Sequence, residues 1–141
     1  ACREQGAEVP LPTDVVVAKS MDATRGRIVP VGKIGAEDLV LDVGPQTRER
    51  FAEVVAGAKT VFWNGPMGLF ENAAFAEGTF AMARAVAAST AISVVGGGDS
   101  VAAINRAGVA EQISHISTGG GASLELVQGK ELPGVIALAK K

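Results

Sequence analysis

The chain is poor in cysteine, nearly balanced in charge, and free of long apolar runs. One cysteine, Cys2, occurs in 141 residues, so no internal disulfide can form, which suits a reducing compartment. Lys and Arg total 13 against 15 Asp and Glu, a net charge of −2. No broad cationic surface is therefore available for nucleic acid or an acidic membrane. The longest apolar-rich window, Ala85 to Val95, is broken by Ser89, Thr90 and Ser93 and is too short to cross a bilayer. No charged-then-apolar signal segment opens the sequence. Cys and His nowhere cluster at metal-ligand spacing, and no serine pairs with a histidine as a nucleophile would. The single histidine, His115, sits in a short apolar-looking strand and reads as a core residue. The sequence also lacks an initiating methionine. Its opening "ACREQG" reads as the last turn of a helix closed by Gly6, so the expectation is a chain that starts partway through a longer protein.

What is present is a chain able to bury a core, 48% hydrophobic and 20% charged, of one domain or part of one. Short β-branched runs alternate with helical patterns. "DVVVA" (Asp14 to Ala18) and "RIVPV" (Arg27 to Val31) are strand-like, with Pro30 marking an edge or an end. "VGPQTRERFAEVVAGA" predicts a helix with Pro45 in its first turn, Thr47, Phe51, Val54 and Val55 on one face, and Gly57 as its stop. "KTVFW" and "AISVV" read as buried strands. Between them "FAEGTFAMARAVAAS" predicts a helix capped by Asn72. "SVAAINRAG" predicts a helix ending at Gly108, "HIS" a short strand, and "ASLELVQG" a last helix ending at Gly129. Strands without period-two alternation, separated by single helices, predict a three-layer α/β fold: a parallel sheet with helices on both faces. The segment from Lys130 to Lys141, with Pro133, is expected to run over the surface.

Three strand ends share one kind of punctuation. "NGPMGLFE" follows "TVFW", "GGGDS" follows "ISVV", and "GGGAS" follows "HIST". Strands of an open parallel sheet end on a common edge, where ligands sit, so the three loops are expected to converge. Neither phosphate signature fits "GGGDSV": the sixth position is valine, not glycine, and no lysine is near. The mechanism beneath both signatures does fit, because bare backbone N–H groups at a helix N-terminus hold an anion without a cationic side chain. The plainer reading makes the glycines tight turns and Asp99 an N-cap. An acid beside phosphate oxygens implies a cation between them, and Mg²⁺ takes one or two carboxylates with phosphate oxygens and water. Ser100 can donate a further hydrogen bond to phosphate. In "NGPMGLFE", Asn64 both donates and accepts, Met67, Leu69 and Phe70 offer an apolar surface to a flat base, and Glu71 can accept from ribose hydroxyls. Core packing is the competing reading for the apolar trio. No Lys or Arg occurs in Val61–Ala83, Ala85–Asn105 or Ala107–Gly129. Phosphoryl transfer depends on cations set against the transferring group. The crevice therefore only binds, or receives its cations from elsewhere.

"TVFWNGPMGLFE", "ISVVGGGDSVAAI" and "SHISTGGGASLELVQGKELPGVIAL" closely resemble the C-terminal portion of phosphoglycerate kinase, and "LPTDVVVA", "IVPVGKI" and "LDVGPQT" resemble the segments before it. The resemblance covers essentially the whole chain. It implies a two-lobed, monomeric, cytoplasmic enzyme of glycolysis that moves the acyl phosphate of 1,3-bisphosphoglycerate to Mg-ADP, giving 3-phosphoglycerate and Mg-ATP. By matching motif, Asn64 and Leu69 border the nucleotide and Glu71 holds its ribose. Gly97, Gly98, Asp99 and Ser100 hold the phosphates, with Asp99 towards magnesium, and Gly119, Gly120 and Gly121 offer amides to the phosphoryl group in transfer. The resemblance further implies that residues 1–130 are part of the nucleotide-binding domain and that 131–141 pack back toward an N-terminal lobe. That lobe and its basic substrate patch fall outside these residues, so little turnover is expected of this chain by itself. Three alternatives stand beside this: a non-catalytic Mg-nucleotide module, a structural fragment whose glycines are only turns, and a dinucleotide dehydrogenase, which the failed fingerprint disfavours.

Overall fold

Two three-stranded sheets, one antiparallel and one parallel, organise the protein in a computed structural model that describes residues 3–139. In the first, β1 (Asp14–Ala18) lies between β2 (Arg27–Pro30) and β3 (Leu39–Val43) and is antiparallel to both. This sheet departs from the parallel pairing that the alternation predicts. The connections 19–26 and 31–38 hold no α-helix, and a parallel return needs a crossover of about a dozen residues. Pro30 closes the edge strand β2, as expected of a residue without an N–H. The sequence reading passes over β3, whose run "LVLDV" carries Asp42 among its apolar residues.

The second sheet is the predicted parallel one. Its strands β4 (Thr60–Asn64), β5 (Ile92–Gly96) and β6 (His115–Ser117) lie in the order β4-β5-β6. Helix α1 (Pro45–Ala56) leads into β4, α2 (Glu77–Ala88) joins β4 to β5, and α3 (Gly98–Arg106) joins β5 to β6. Trp63, Val95 and Ile116 stand in register on one face and pack with Ala83 and Val86 of α2 and Ala103 and Ile104 of α3 in the main core. On the opposite face stand Phe62, Val94 and His115, with Ile92 63% exposed. Helices therefore cover one face among the described residues. His115 is exposed rather than part of the core, because it belongs to that second face on the last strand.

Helix α4 (Gly120–Val127) follows β6, and Pro133 opens α5 (Pro133–Ala139) where an irregular surface run was expected. Proline is at home in a first helical turn, where its missing N–H has no intrahelical partner to lose. Gly108 (φ 70°) follows α3 and Gly129 (φ 75°) follows α4, in the left-handed conformation that favours glycine. Near the other end, a 3-10 turn (Arg3–Gln5) leads to Gly6 at φ 76°. Ala1 and Cys2 lie outside the described residues.

Two helices are capped from a distance. Neither Gly44 before α1 nor Ala76 before α2 makes a side-chain cap. Instead the Asp14 carboxylate on β1 accepts from the amides of Gln46 (3.1 Å) and Thr47 (2.8 Å) and from the Thr47 hydroxyl (2.7 Å). The Asp42 carboxylate on β3 accepts from the amides of Gly78 (2.7 Å) and Val43 (2.9 Å). The amides of Gln46, Thr47 and Gly78 belong to first helical turns and have no intrahelical partner. Burial opposes the Asp14 charge, but the Thr47 and Gln46 bonds and nearby Arg48 outweigh it and hold the carboxyl below its ordinary range. At Asp42 burial wins over the bonds from Gly78 and Val43, and the carboxyl is raised. Asn72, expected to cap α2, caps the 3-10 turn Ala73–Phe75 by accepting from the Ala74 amide at 3.0 Å.

Candidate functional site

The carboxyl ends of β4, β5 and β6 are tied into one crevice. At the end of β4, the Asn64 side-chain amide donates to the Gly120 carbonyl at 3.4 Å. The next residue, Gly65 (φ 116°), donates its N–H to the Ser100 hydroxyl at 2.6 Å and accepts from the Trp63 indole at 2.7 Å. The Gly97 amide donates to the Ser117 carbonyl at 3.2 Å, linking β5 to β6. Asn64, the Gly97–Ser100 stretch and Gly120 are thus brought together from three separate parts of the sequence.

The glycines divide into two groups. A Cβ on Gly120 would lie 2.7 Å from the Gly97 Cα and 3.1 Å from the Asn64 Oδ1, and one on Gly97 (φ 89°) would lie 2.5 Å from the same Oδ1. Those two are glycine because the loops touch. A Cβ on Gly98 or Gly121 would meet nothing within 4 Å, and one on Gly119 would meet only the Ala122 Cβ at 3.8 Å. Internal packing does not require glycine at these three positions, so they leave the main chain open to an outside group.

Helices α3 and α4 begin inside the triplets, at Gly98 and Gly120, earlier than their apolar pattern indicates. Gly97 and Gly119 occupy the N-cap positions and neither offers a side chain. Asp99 is therefore a first-turn residue of α3 and not its cap. It is exposed, and its carboxylate has no hydrogen bond or ion pair with any described residue. Ser100 departs from its expected role: it is 1% exposed, and its oxygen receives the Gly65 N–H. It fastens the first loop to the second.

The loop after β4 forms one wall of a groove of ≈ 580 Å³, where Met67, Leu69 and Glu71 meet Met21, Leu41 and Asp42. Phe70 departs from the expected apolar trio. It is 4% exposed and lies in the core, while Met67 and Leu69 are partly buried beside the groove. The loop's backbone is held by residues that sequence reasoning did not assign to the site. The Thr79 hydroxyl accepts from the amides of Met67 (3.1 Å) and Gly68 (3.2 Å), and the Leu69 amide donates to the Leu41 carbonyl at 2.8 Å. Gly68 packs directly on the Asp42 carboxylate, leaving no room for a Cβ. An acid inside an apolar strand was the one available signal for this anchor.

Between Val61 and Gly129 the cations are Arg84 and Arg106, and both are engaged. Arg84 pairs with Glu77. Arg106 donates to the Phe70 carbonyl at 2.9 Å. Among the described residues no group of three or more His, Cys, Asp or Glu could hold a metal, and no helix is long and apolar enough to cross a membrane. A lone exposed carboxylate at a helix N-terminus suits an ion that arrives already ligated by phosphate and water, rather than a resident metal.

A parallel sheet whose successive strands end in helix N-termini lined with glycine defines an α/β domain that takes its ligand at the strand ends. Comparison with known proteins narrows that class. The phosphoglycerate kinase family model matches residues 1–130, and the chain belongs to that family. It is 55% identical over 136 residues to the phosphoglycerate kinase of Roseiflexus castenholzii, covering 96% of this chain and 34% of that protein. Among solved structures, phosphoglycerate kinase from Coxiella burnetii matches with a TM-score of 0.86 and 42% identity, over 91% of this chain and 34% of that one. The enzyme from Pyrococcus horikoshii matches with a TM-score of 0.78 and 38% identity, over 91% and 32%. The chain thus spans about a third of the length of these relatives.

Proposed function

We propose that this chain is the nucleotide side of a phosphoglycerate kinase. The whole protein transfers the acyl phosphate of 1,3-bisphosphoglycerate to Mg-ADP, reversibly, giving 3-phosphoglycerate and Mg-ATP in cytoplasmic glycolysis, and acts as a monomer. The observation that carries this reading is the meeting of two uncapped helix N-termini with Asn64 and an unpartnered Asp99 at one sheet edge. Backbone amides at Gly97 and Gly98 receive the nucleotide phosphates, since first-turn N–H groups and the helix dipole favour negative charge. Amides at Gly119, Gly120 and Gly121 meet the charge that develops on the transferring phosphoryl group. Asp99 holds the magnesium, which neutralises phosphate charge when bound. Met67 and Leu69 flank the base, Asn64 borders the nucleotide, and Glu71 accepts from the ribose.

The engagement of Arg84 and Arg106 elsewhere leaves residues 61–129 without a free lysine or arginine to offer the crevice. The acceptor substrate and the cations accordingly belong to the part of the relatives that this chain does not span. Of the tail 131–141, the described residues through Ala139 expose apolar surface at Val135 and Leu138 of α5, and this surface packs toward that part; Lys140 and Lys141 lie outside the described residues. The same observation would suit a binding module without catalysis, and turnover separates the two. Calorimetric titration with ADP, with and without magnesium, tests the common ground. Expected is a loss of at least about tenfold when magnesium is withheld or Asp99 is changed to Ala, as for removal of a charge-assisted contact. Equal affinity in all three titrations would refute the reading. ATP formation by this chain alone, at a rate near that of its full-length relatives, would refute the division of labour.

A further inference from the structure

Helix α3 grips the loop after β4 at two places. Near its N-terminus, Ser100 receives the Gly65 amide, and at its last residue, Arg106 donates to the Phe70 carbonyl. The Arg106 guanidinium also stands 5.3 Å from the centroid of the Phe70 ring and 5.5 Å from that of Phe80 on α2. A planar cation over two aromatic faces, with one N–H bonded to a carbonyl, is more constrained than an ordinary surface arginine. The carbonyl it holds opens the peptide bond that leads to Glu71. Among the described residues no carboxylate is ion-paired with this guanidinium.

We infer that Arg106 is a positioning residue for Glu71. By fixing the Phe70 carbonyl and ring, it sets the peptide plane from which the Glu71 side chain leaves, and so the direction in which that carboxylate meets a ribose. Because the same helix carries Gly98 and Asp99 at its opposite end, roughly 10 Å from Arg106 at 1.5 Å per residue, α3 links the phosphate contacts to the ribose contact as one rigid body. This inference deepens the proposed nucleotide reading and rests on it.

The test is a double-mutant cycle, Arg106→Met with Glu71→Gln, read by Mg-ADP affinity, with hydrogen exchange at the amides of residues 69–72 measured alongside. The expected result is faster exchange in Arg106→Met and an affinity about fivefold weaker, in line with loss of one charged hydrogen bond and a cation–π contact. Arg106→Lys should recover more than half of that loss. In the Glu71→Gln background, Arg106→Met should cost less than about twofold further, because the two residues act through one contact. A fully additive cycle, or unchanged exchange at 69–72, would overturn the inference. Faster exchange in a protein whose wild type binds no Mg-ADP would instead overturn the nucleotide reading, and with it the purpose assigned to Arg106.

Discussion

The antiparallel and parallel halves treat their helix N-termini in opposite ways. Strands of the antiparallel sheet close α1 and α2 with buried aspartates, Asp14 and Asp42. Over the parallel sheet, α3 and α4 begin on glycines and receive no side chain at all. The orphan amides are the same chemical groups in all four helices. Where the protein supplies its own anion the helix start is structural. Where it supplies none and clears the side chains away, the helix start is the one the proposed reading gives to an external anion. Glycine alone does not separate the two, since α1 also follows a glycine, Gly44; the presence of the inserted carboxylate does.

That contrast can be broken most severely at Asp14. Asp14→Ala strips three hydrogen bonds from the buried start of α1, and an unfolding free energy lowered by about 2–4 kcal/mol is expected from urea titration. Asp14→Asn, which keeps one oxygen acceptor, should lose roughly half of that. A change below about 0.5 kcal/mol in both would remove the structural half of the comparison.

The next largest effects sharpen the glycine division. Gly120→Ala forces a Cβ against the Gly97 backbone, and about 1–3 kcal/mol of stability should be lost as the loops separate. Gly98→Ala adds its methyl to open space within a helix. Stability should then hold or rise by up to about 1 kcal/mol, while Mg-ADP affinity falls. Thermal unfolding run beside nucleotide titration reads both, and equal behaviour of the two variants would erase the distinction.

The smallest effect is the sign of the pH dependence. The Asp14 carboxyl is lowered on folding, so its stabilisation is present above the ordinary aspartate pKa and is lost as pH falls through the folded value. The Asp42 carboxyl is raised. Between its unfolded and folded values the native state binds more protons, so from this residue stability rises as pH falls through that window. Asp14→Asn should flatten the acid loss, and Asp42→Asn should remove the opposing gain. Stability curves from pH 3 to 7 that respond alike to both substitutions would contradict the assignment.

The parallel half was the more legible in the sequence. Its strands carry apolar runs that end in glycine punctuation, and these placed β4, β5, β6 and the convergence of their loops. The antiparallel half was misread because short apolar strands look the same whichever way they pair; only the absence of a helix in 19–26 and 31–38 indicates reversal. Within the crevice, glycine and Asp99 announce themselves by composition. The anchoring roles of Ser100, Asp42, Thr79 and Arg106 do not, although Ser100 was singled out for a phosphate contact, because that work depends on which backbone group lies across the fold, up to 36 residues away for Asp42 and Gly78. His115 was misplaced because burial on a sheet is decided by which face the helices take, and Phe70 because its turn folds back into the core beside α2 and α3; composition is silent on both.

The indole of Trp63 donates its hydrogen to the carbonyl of Gly65, the residue whose N–H ties the first loop to the second. Trp63 is the single tryptophan, and the sequence contains no tyrosine. Excitation at 295 nm therefore addresses one chromophore, rooted where the three strand ends meet. Light emitted by the unlabelled protein is a native readout of that junction, reporting any event that tugs on the Gly65 carbonyl before chemistry begins.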